Sequence, residues 1–181
     1  MPEELSQWYA IRVRSRSEKI AALDLGLKGF EVCAAVAPQR RVWADRIRVV
    51  DMPLFPGYIF ANFDPARRPE VERAARVASV VRFGGQCYPV DPVEIAAVRK
   101  IVGSGAEVQR VPFLQVGTRI EVKHGPFQGT VGVLVQIKNQ YRLVVAVTLL
   151  QRAVSVEIDE AMVAPLPPQS EKARAAWAVV A

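Results

Sequence analysis

Two prolines and a glycine fall within the stretch Pro53-Leu54-Phe55-Pro56-Gly57-Tyr58-Ile59-Phe60, which constrains the fold more than any other part of the chain. Proline cannot donate a hydrogen bond to a strand ladder, so this stretch should begin at a sheet edge or a bulge. Gly57 lets another backbone or a partner approach closely. The segment from Tyr58 to Phe63 is rich in β-formers and predicts a strand. The aromatic side chains either pack in the core or, at Phe55 and Tyr58, present part of their surface to a partner.

The composition of the chain narrows the class of protein. Its 181 residues suit one large domain or two small ones. With 24 Lys and Arg against 18 Asp and Glu, the net charge of +6 permits contact with nucleic acid without requiring it. Cys33 and Cys87 are far apart and His124 is the single histidine, so we expect no disulfide framework, no metal site and no cofactor. The absence of an apolar signal core or membrane-length run favours a cytoplasmic protein.

The first third of the chain predicts strands around one helix. Residues 8–14 alternate as a strand does. Ser15 and Glu18 form a capping-box pattern ahead of a helix that should stop at Gly29. The helix should turn one apolar stripe toward the sheet, at Ile20, Leu23 and Leu27.

A second strand over 30–37, ended by Pro38, leads to a projecting hairpin over 39–50 with its turn near Ala44-Asp45. Trp43 in that hairpin is either a packing residue or an exposed contact.

Two more helices are expected before residue 103. The first should begin at Pro69 and bury a face of small residues that runs to Ala78. A short strand over 80–83 and a turn at Gly84-Gly85 follow. The sequence Asp91-Pro92-Val93-Glu94 combines an N-cap with an N1 proline, and the helix after it should bury Ile95, Val98 and Ile101. The order β-α-β-hairpin-β-α-β-α indicates an α+β sandwich, a small and mostly antiparallel sheet covered by helices.

The pattern changes after a glycine-rich segment. We expect an N-terminal domain over 1–102, a flexible linker over 103–113, a second domain over 114–166 and a C-terminal tail over 167–181 that contains Trp177. The second domain shows short strands only, which is typical of a small barrel. Its strands are predicted at 119–123, 130–137, 141–149 and 155–158.

Basic residues cluster where the first strand ends and the first helix begins, at Arg12, Arg14, Arg16 and Lys19. They form either a solvated surface or a patch that faces a phosphate backbone.

Several motifs, taken together and in order, resemble the bacterial NusG family of transcription elongation factors. They are Trp8-Tyr9, the helix with Glu18, Phe55-Pro56-Gly57-Tyr58, Asp91-Pro92-Val93-Glu94-Ile95, Gly117 and Gly125-Pro126-Phe127-Gln128-Gly129. The resemblance covers about residues 8–165 and implies a NusG-type αβ domain followed by an SH3-like KOW barrel.

The resemblance also implies the sites. The contact with the clamp helices of RNA polymerase would comprise Trp8, Tyr9, Phe55, Pro56, Gly57 and Tyr58. The side toward the opposite polymerase jaw and the upstream or non-template DNA would comprise Arg12, Arg14, Arg16, Lys19, Arg73, Arg76 and Ser79, the last three near the end of the second helix. The surface of the barrel that recruits a second partner would comprise Gly125, Phe127, Leu149, Leu150, Gln151 and Arg152.

The partner loop departs from the family pattern. The general factor, which binds the Rho helicase and a small-subunit ribosomal protein, has an aromatic residue and a glycine in the places of Leu150 and Gln151. The sequence of residues 149–159 is more similar to that of specialised paralogues, which act as antiterminators on long operons. The resemblance therefore implies a monomeric elongation and antitermination factor, either specialised or general.

Two other classes of function stay open from the residues alone. A ribosome- or RNA-binding module would need a basic barrel, but Lys123, Lys138, Arg142 and Arg152 are few and scattered. An enzyme could pair a cysteine with His124, but the histidine lies in a Gly-Pro turn and no orienting acid is evident. We therefore expect a non-enzymatic binding protein.

Overall fold

A computed structural model describes residues 6–43, 46–111, 118–137 and 140–166. The helices are α1 (Glu18–Leu27), α2 (Arg68–Glu72) and α3 (Pro92–Ser104). The first eight strands are β1 (Gln7–Val13), β2 (Glu31–Cys33), β3 (Val36–Trp43), β4 (Arg46–Pro53), β5 (Tyr58–Phe63), β6 (Val77–Val80), β7 (Arg82–Phe83) and β8 (Gln86–Cys87). The others are β9 (Gln109–Val111), β10 (Thr118–Val122), β11 (Val131–Ile137), β12 (Gln140–Val147), β13 (Arg152–Glu157) and β14 (Val163–Pro165).

A four-stranded antiparallel sheet in the order β2-β5-β1-β6, here called the N-terminal sheet, organises the first part of the chain. One face packs with α1 and α2 around residues such as Ile11, Leu25 and Val71. The other face packs with α3 around residues such as Phe60 and Val98. The α+β sandwich expected for this part is confirmed, and β5 spans the predicted strand.

Helix α1 lies on the sheet with a different face from the predicted one. Its buried residues are Glu18, Ala21 and Leu25, which are spaced i, i+3 and i+7. The predicted stripe is wrong, since Ile20, Leu23 and Leu27 are 52%, 68% and 80% exposed.

The start of α1 also differs from the predicted capping box. Ser17 is the N-cap residue, without a side-chain cap bond, and Glu18 instead accepts a hydrogen bond from the backbone of Gly57. This long-range bond turns Glu18 inward and so fixes the rotation of the helix. The predicted stop is confirmed at Gly29, which has φ +83.

Strands β3 and β4 form a separate two-stranded ribbon. The predicted strand over 30–37 is divided at Ala35, whose φ is +46, and Pro38 lies inside β3 rather than at its end. Pro38 is tolerated there because, among the described strands, β3 pairs with β4 alone and its other edge requires no donor. The predicted turn at Ala44-Asp45 lies outside the described residues.

Helix α2 is shorter than predicted. It ends at Glu72, and Val77–Val80 pairs with β1 as strand β6, so Ala78 and Ser79 lie on a strand. Two β-branched valines and free pairing positions on β1 outweigh the helix propensity of the alanines. The turn at Gly84-Gly85 is confirmed between β7 and β8.

The later strands form a six-stranded antiparallel sheet in the order β14-β10-β11-β12-β13-β9, here called the C-terminal sheet. The four strands predicted from sequence are present as β10 to β13, whereas β9 and β14 were not predicted. Among the described strands, β14 and β9 are the two ends of the sheet, and the closed barrel expected for this domain is not observed.

The segment expected to be a linker is largely regular where it is described. Helix α3 continues through Gly103 and Ser104 and is capped by Gly105 at φ +67, and Gln109–Val111 already pairs with β13. One apolar cluster joins α3, the adjacent face of the N-terminal sheet and the C-terminal sheet. Within the described parts of the chain, no helix is both long and apolar enough to cross a membrane. Trp177 and the rest of the tail lie outside those parts.

Candidate functional site

The loop between β4 and β5 is held by backbone bonds at several points. The Leu54 amide donates to the Ala35 carbonyl at 2.8 Å, and the Val13 amide donates to the Gly57 carbonyl at 2.9 Å. The Gly57 amide donates to the Glu18 carboxylate at 2.8 Å. Gly57 has φ +82, a conformation that favours glycine. The proline-glycine bend predicted from sequence is therefore a rigid feature, and Glu18 is the residue whose role in it the sequence did not reveal.

The two rings on this loop have different surroundings. Phe55 is 0% exposed and lies 5.6 Å from the Phe60 ring in an edge-to-face arrangement. Tyr58 is half-buried, as are Pro56 and Gly57. The expectation that Phe55 presents part of its surface is therefore wrong for this structure, in which the ring is fully buried. Tyr58 does keep an accessible part.

Trp8 and Tyr9 point to opposite faces of the N-terminal sheet, because neighbouring residues of a strand alternate. Trp8 belongs to the same apolar cluster as Phe55, and the Arg99 guanidinium lies 5.6 Å from its ring centroid. Tyr9 lies on the face that packs with α1 and α2, 4.8 Å from the Phe63 ring. Burial there raises the pKa of its hydroxyl. The structure thus brings Trp8 together with the loop and leaves Tyr9 on the far side.

The C-terminal sheet covers the loop. Arg152 Nη1 donates to the Pro56 carbonyl at 3.1 Å, and the same guanidinium lies 4.9 Å from the Tyr58 ring centroid. Leu149 and Leu150 pack at the edge of the shared cluster. The two sites that the sequence placed on separate domains, one for polymerase and one for a second partner, are therefore in contact with each other.

Helix α3 supplies two more contacts between the same parts of the chain. The Glu94 carboxylate accepts hydrogen bonds from the Thr148 amide at 3.1 Å and from Thr148 Oγ1 at 2.5 Å. Lys100 Nζ donates to the Gln128 carbonyl at 2.5 Å. Burial raises the pKa of the Glu94 carboxyl, the Thr148 bonds oppose this shift, and the nearby charge of Asp91 adds to it. Sequence reasoning assigned Glu94 to a helix cap and missed its partner, because no local pattern marks a bond between distant residues.

The other residues of the predicted partner site are dispersed. Phe127 is buried in the shared cluster. Gly125 is exposed at φ +86, and a Cβ there would lie 3.1 Å from Met162 Sδ. Gln151 is exposed with φ +48, so this position has the left-handed backbone that favours the glycine of the general family pattern.

The predicted cationic residues do come together at one end of the N-terminal sheet. In the strand register Arg12 lies opposite both Tyr58 and Ser79, and the Arg14 amide donates to the Arg76 carbonyl at 2.9 Å. All of the arginines concerned are exposed, namely Arg12, Arg14, Arg16, Arg73 and Arg76, here called the arginine cluster.

The details of this cluster differ from the sequence expectation in two ways. Lys19 forms an exposed ion pair with Asp51 at 3.1 Å and is less available than expected. Arg73 caps the short helix α2, Arg76 has φ +66 and Ser79 lies on β6, which corrects their placement near the end of a longer helix.

The cysteines and the possible metal ligands are the side chains that bear on an enzymatic function. Burial raises the pKa of the Cys33 thiol, which disfavours the thiolate that a nucleophile needs. Among the described residues, no group of His, Cys, Asp and Glu could hold a metal ion.

Residues 6–111, more than half of the chain, match the family model described as transcription termination factor nusG. The chain belongs to the NusG family. It is 25% identical over 161 residues to the transcription termination/antitermination protein NusG of Halalkalibacterium halodurans, with 83% of this chain and 89% of that protein covered. It is 26% identical over 175 residues to the protein of the same name from Thermus thermophilus, with 84% and 95% covered.

Among solved structures, NusG from Thermotoga maritima, described as showing a domain interaction, matches with a TM-score of 0.48 and 22% identity. The match covers 90% of this chain and 98% of that one. The family model and the two relatives confirm the sequence resemblance to NusG and assign the chain to a family of transcription termination and antitermination factors. These relatives are transcription factors rather than enzymes, in agreement with the non-enzymatic function that we expected.

Proposed function

We propose that this NusG-family protein binds RNA polymerase during elongation through the face that carries Trp8, Phe55 and Tyr58, and that it suppresses pausing without making or breaking a covalent bond. The observation that carries the proposal is that the C-terminal sheet contacts this face. Phe55 is fully buried and Tyr58 lies under Arg152, a residue of the C-terminal sheet. An aromatic face on a rigid loop suits a protein partner, because rigid aromatic anchors lose little entropy when they bind.

The same cover means that the free chain adopts a closed arrangement, from which polymerase must displace the C-terminal sheet. Only the open fraction of molecules would bind, so the apparent affinity is the intrinsic affinity reduced by that fraction. The contacts that oppose opening include Arg152 with Pro56 and Glu94 with Thr148. A partner that captures the released C-terminal sheet would therefore strengthen the binding of polymerase, because linked equilibria are reciprocal.

The arginine cluster extends the proposed interface toward nucleic acid. Arg12 lies opposite Tyr58 in the strand register, so the cluster borders the aromatic face directly. Exposed guanidinium groups attract phosphates through a sequence-independent term that weakens as salt is added. We assign the cluster to the upstream or non-template DNA of the elongation complex.

Suppression of pausing then follows from differential binding. A factor that contacts both sides of the DNA cleft of polymerase binds polymerase with a closed cleft more tightly than polymerase with the open cleft of the paused state. A preference of about 1.4 kcal/mol changes the ratio of the two forms about tenfold. No chemical step is required of the factor.

The C-terminal sheet would act once it is released. Leu149, Leu150, Gln151 and Arg152 would become available to a second partner that the chain itself holds at high effective concentration. For a general factor this partner would be Rho or a small-subunit ribosomal protein. Leu150 and Gln151 in place of an aromatic residue and a glycine favour a specialised, operon-directed factor.

A pull-down from native lysate at moderate salt tests the proposal. We expect the tagged protein to retain polymerase subunits without Rho or ribosomal proteins, whereas retention of either of these would favour the general factor. Nuclease-sensitive retention of RNA without polymerase would instead support an RNA-binding module and contradict the proposal.

A further inference from the structure

The β3–β4 ribbon pairs with neither of the large sheets and exposes side chains from both of its faces. Among the described strands, β3 and β4 pair with each other and with no third strand. Near the tip, Trp43 is 55% exposed and Ile47 is 63% exposed. A free two-stranded ribbon that exposes large apolar side chains gains little stability from them, which suggests that they serve a contact.

The strand register separates the residues of the ribbon into two chemically different faces. Residues directly opposite each other in an antiparallel pair share a face, and the faces alternate along each strand. One face carries Arg41, Trp43, Arg46 and Arg48, and is here called the tryptophan face. The other carries Arg40, Val42, Ile47 and Val49, and is here called the valine face.

The tryptophan face concentrates positive charge around one indole. Arg41 lies directly opposite Arg48, and the Arg48 guanidinium is 5.9 Å from the Trp43 ring centroid. Like charges in directly opposite positions destabilise a strand pair, so the arrangement favours a negatively charged ligand that relieves the repulsion.

Two ion pairs between the described residues of the ribbon and its surroundings involve the valine side. Arg40 of the valine face pairs with Glu107 at 3.3 Å. Asp51, opposite Pro38, pairs with Lys19. The Arg41 Nε instead lies 3.2 Å from Met52 Sδ, a neutral acceptor.

We propose that the tryptophan face binds single-stranded nucleic acid, with one base stacked on Trp43 and the adjacent phosphates held by Arg41 and Arg48. Basic groups beside an exposed aromatic ring are the combination that binds unpaired strands, because every base has a stacking face and every linkage a charge. A base inside a duplex is already stacked and cannot reach the indole. The inference concerns a surface separate from the polymerase face and does not depend on polymerase binding.

The test is a titration of a labelled single-stranded DNA of about 12 nucleotides, followed by fluorescence anisotropy at low salt. We expect Trp43→Ala and the double variant Arg41→Gln, Arg48→Gln each to weaken binding about tenfold, and the single variant Arg41→Gln to weaken it by about threefold. Trp43→Phe should retain most of the affinity and Trp43→Leu should not, which separates stacking from general apolar contact. Duplex DNA and an acidic polyglutamate peptide should compete poorly.

Two changes on the valine face serve as matched controls. Arg40→Gln removes the same charge as Arg41→Gln, and Ile47→Ala truncates a side chain near the tip that is somewhat more exposed than Trp43. Both should stay within about twofold of the parent protein. If Arg40→Gln weakens binding as much as Arg41→Gln, or if Trp43→Ala has no effect, the attraction is a diffuse one and the proposal is wrong. It is equally wrong if, once Arg14 and Arg76 of the arginine cluster are changed to Gln, duplex DNA or the acidic peptide binds as tightly as the single strand.

The arginine cluster also attracts DNA, and a second set of titrations reduces this contribution. The titrations are repeated in a protein with Arg14→Gln and Arg76→Gln, where overall affinity should fall while the ratio between the affinities with Trp43 and with Trp43→Ala increases. Failure of this proposal would leave the polymerase pull-down unaffected, so the two conclusions are tested separately.

Discussion

The guanidinium of Arg152 lies 4.9 Å from the centroid of the Tyr58 ring and also donates to the neighbouring Pro56 carbonyl at 3.1 Å. These residues are far apart in the sequence, with Arg152 at the start of β13 and Tyr58 at the start of β5. Their contact joins the surface proposed for polymerase to the surface proposed for a second partner.

Loss of the Arg152 side chain should open this contact. A cation–π contact contributes about 0.5–2 kcal/mol, so Arg152→Ala should shift the closed–open equilibrium toward the open form by severalfold or more. We expect the variant to bind polymerase more tightly than the parent. Arg152→Lys keeps the charge without the planar fork and should lie between the two. Unchanged or weaker binding by Arg152→Ala would show that the cover does not limit access.

The Glu94–Thr148 contact should make stability depend on pH. The pKa of the folded Glu94 carboxyl is raised, so its protonated form favours the folded state. This contribution is complete below the pKa of the unfolded chain, about 4.3, and is lost as the pH rises through the higher folded value. The side chain in Glu94→Gln is neutral at every pH. The melting temperature of this variant minus that of the parent should therefore increase from pH 4 toward pH 7.

Thermal unfolding at a series of pH values measures that difference. Glu107→Gln, the same substitution at an exposed glutamate paired with Arg40, is the control and should not reproduce the trend. A Glu94→Gln difference that falls with rising pH would contradict the burial of this carboxyl.

Two glycine substitutions should change the free energy of unfolding in opposite directions. A Cβ at Gly57 would meet no atom within 4 Å, but its φ of +82 makes Gly57→Ala strained by about 1–2 kcal/mol. Gly26, inside helix α1, also has open space, and Gly26→Ala should stabilise by about 0.5–1 kcal/mol. Denaturant unfolding of both variants tests whether backbone conformation, rather than space, fixes the loop.

The backbone at Gln151 should favour glycine. Its φ of +48 is left-handed, so Gln151→Gly should raise the free energy of unfolding by about 1 kcal/mol. The same denaturant titration gives the value. A loss of stability would mean that the Gln151 side chain makes a contact that outweighs the strain.

Local patterns in the sequence predicted the elements whose causes are local. Strand β5 follows from its run of β-formers, and the start of α3 follows from Asp91, whose carboxylate accepts from the Val93 amide at 2.8 Å. The turn at Gly84-Gly85 follows from two residues that tolerate positive φ.

Features with distant causes were not predictable in this way. The rotation of α1 depends on the bond from Gly57 to Glu18, and the strand at Val77–Val80 depends on pairing with β1. The burial of Phe55 in a cluster shared with the C-terminal sheet depends on contacts between parts of the chain that no short pattern connects. The residues of the candidate site could thus be named from the sequence, but not the fact that the two proposed surfaces lie against each other.

The central claim is that Tyr58 contacts polymerase, and a titration of purified core RNA polymerase tests it most directly. All proteins carry Arg152→Ala, so that loss of the Tyr58 ring does not also open the cover. In this background Tyr58→Ala should weaken binding about thirtyfold, the size of an interface hot spot, whereas Tyr88→Ala, which truncates an exposed tyrosine elsewhere on the same domain, should change it less than about twofold. Equal affinities for the Tyr58→Ala and Tyr88→Ala proteins would contradict the account.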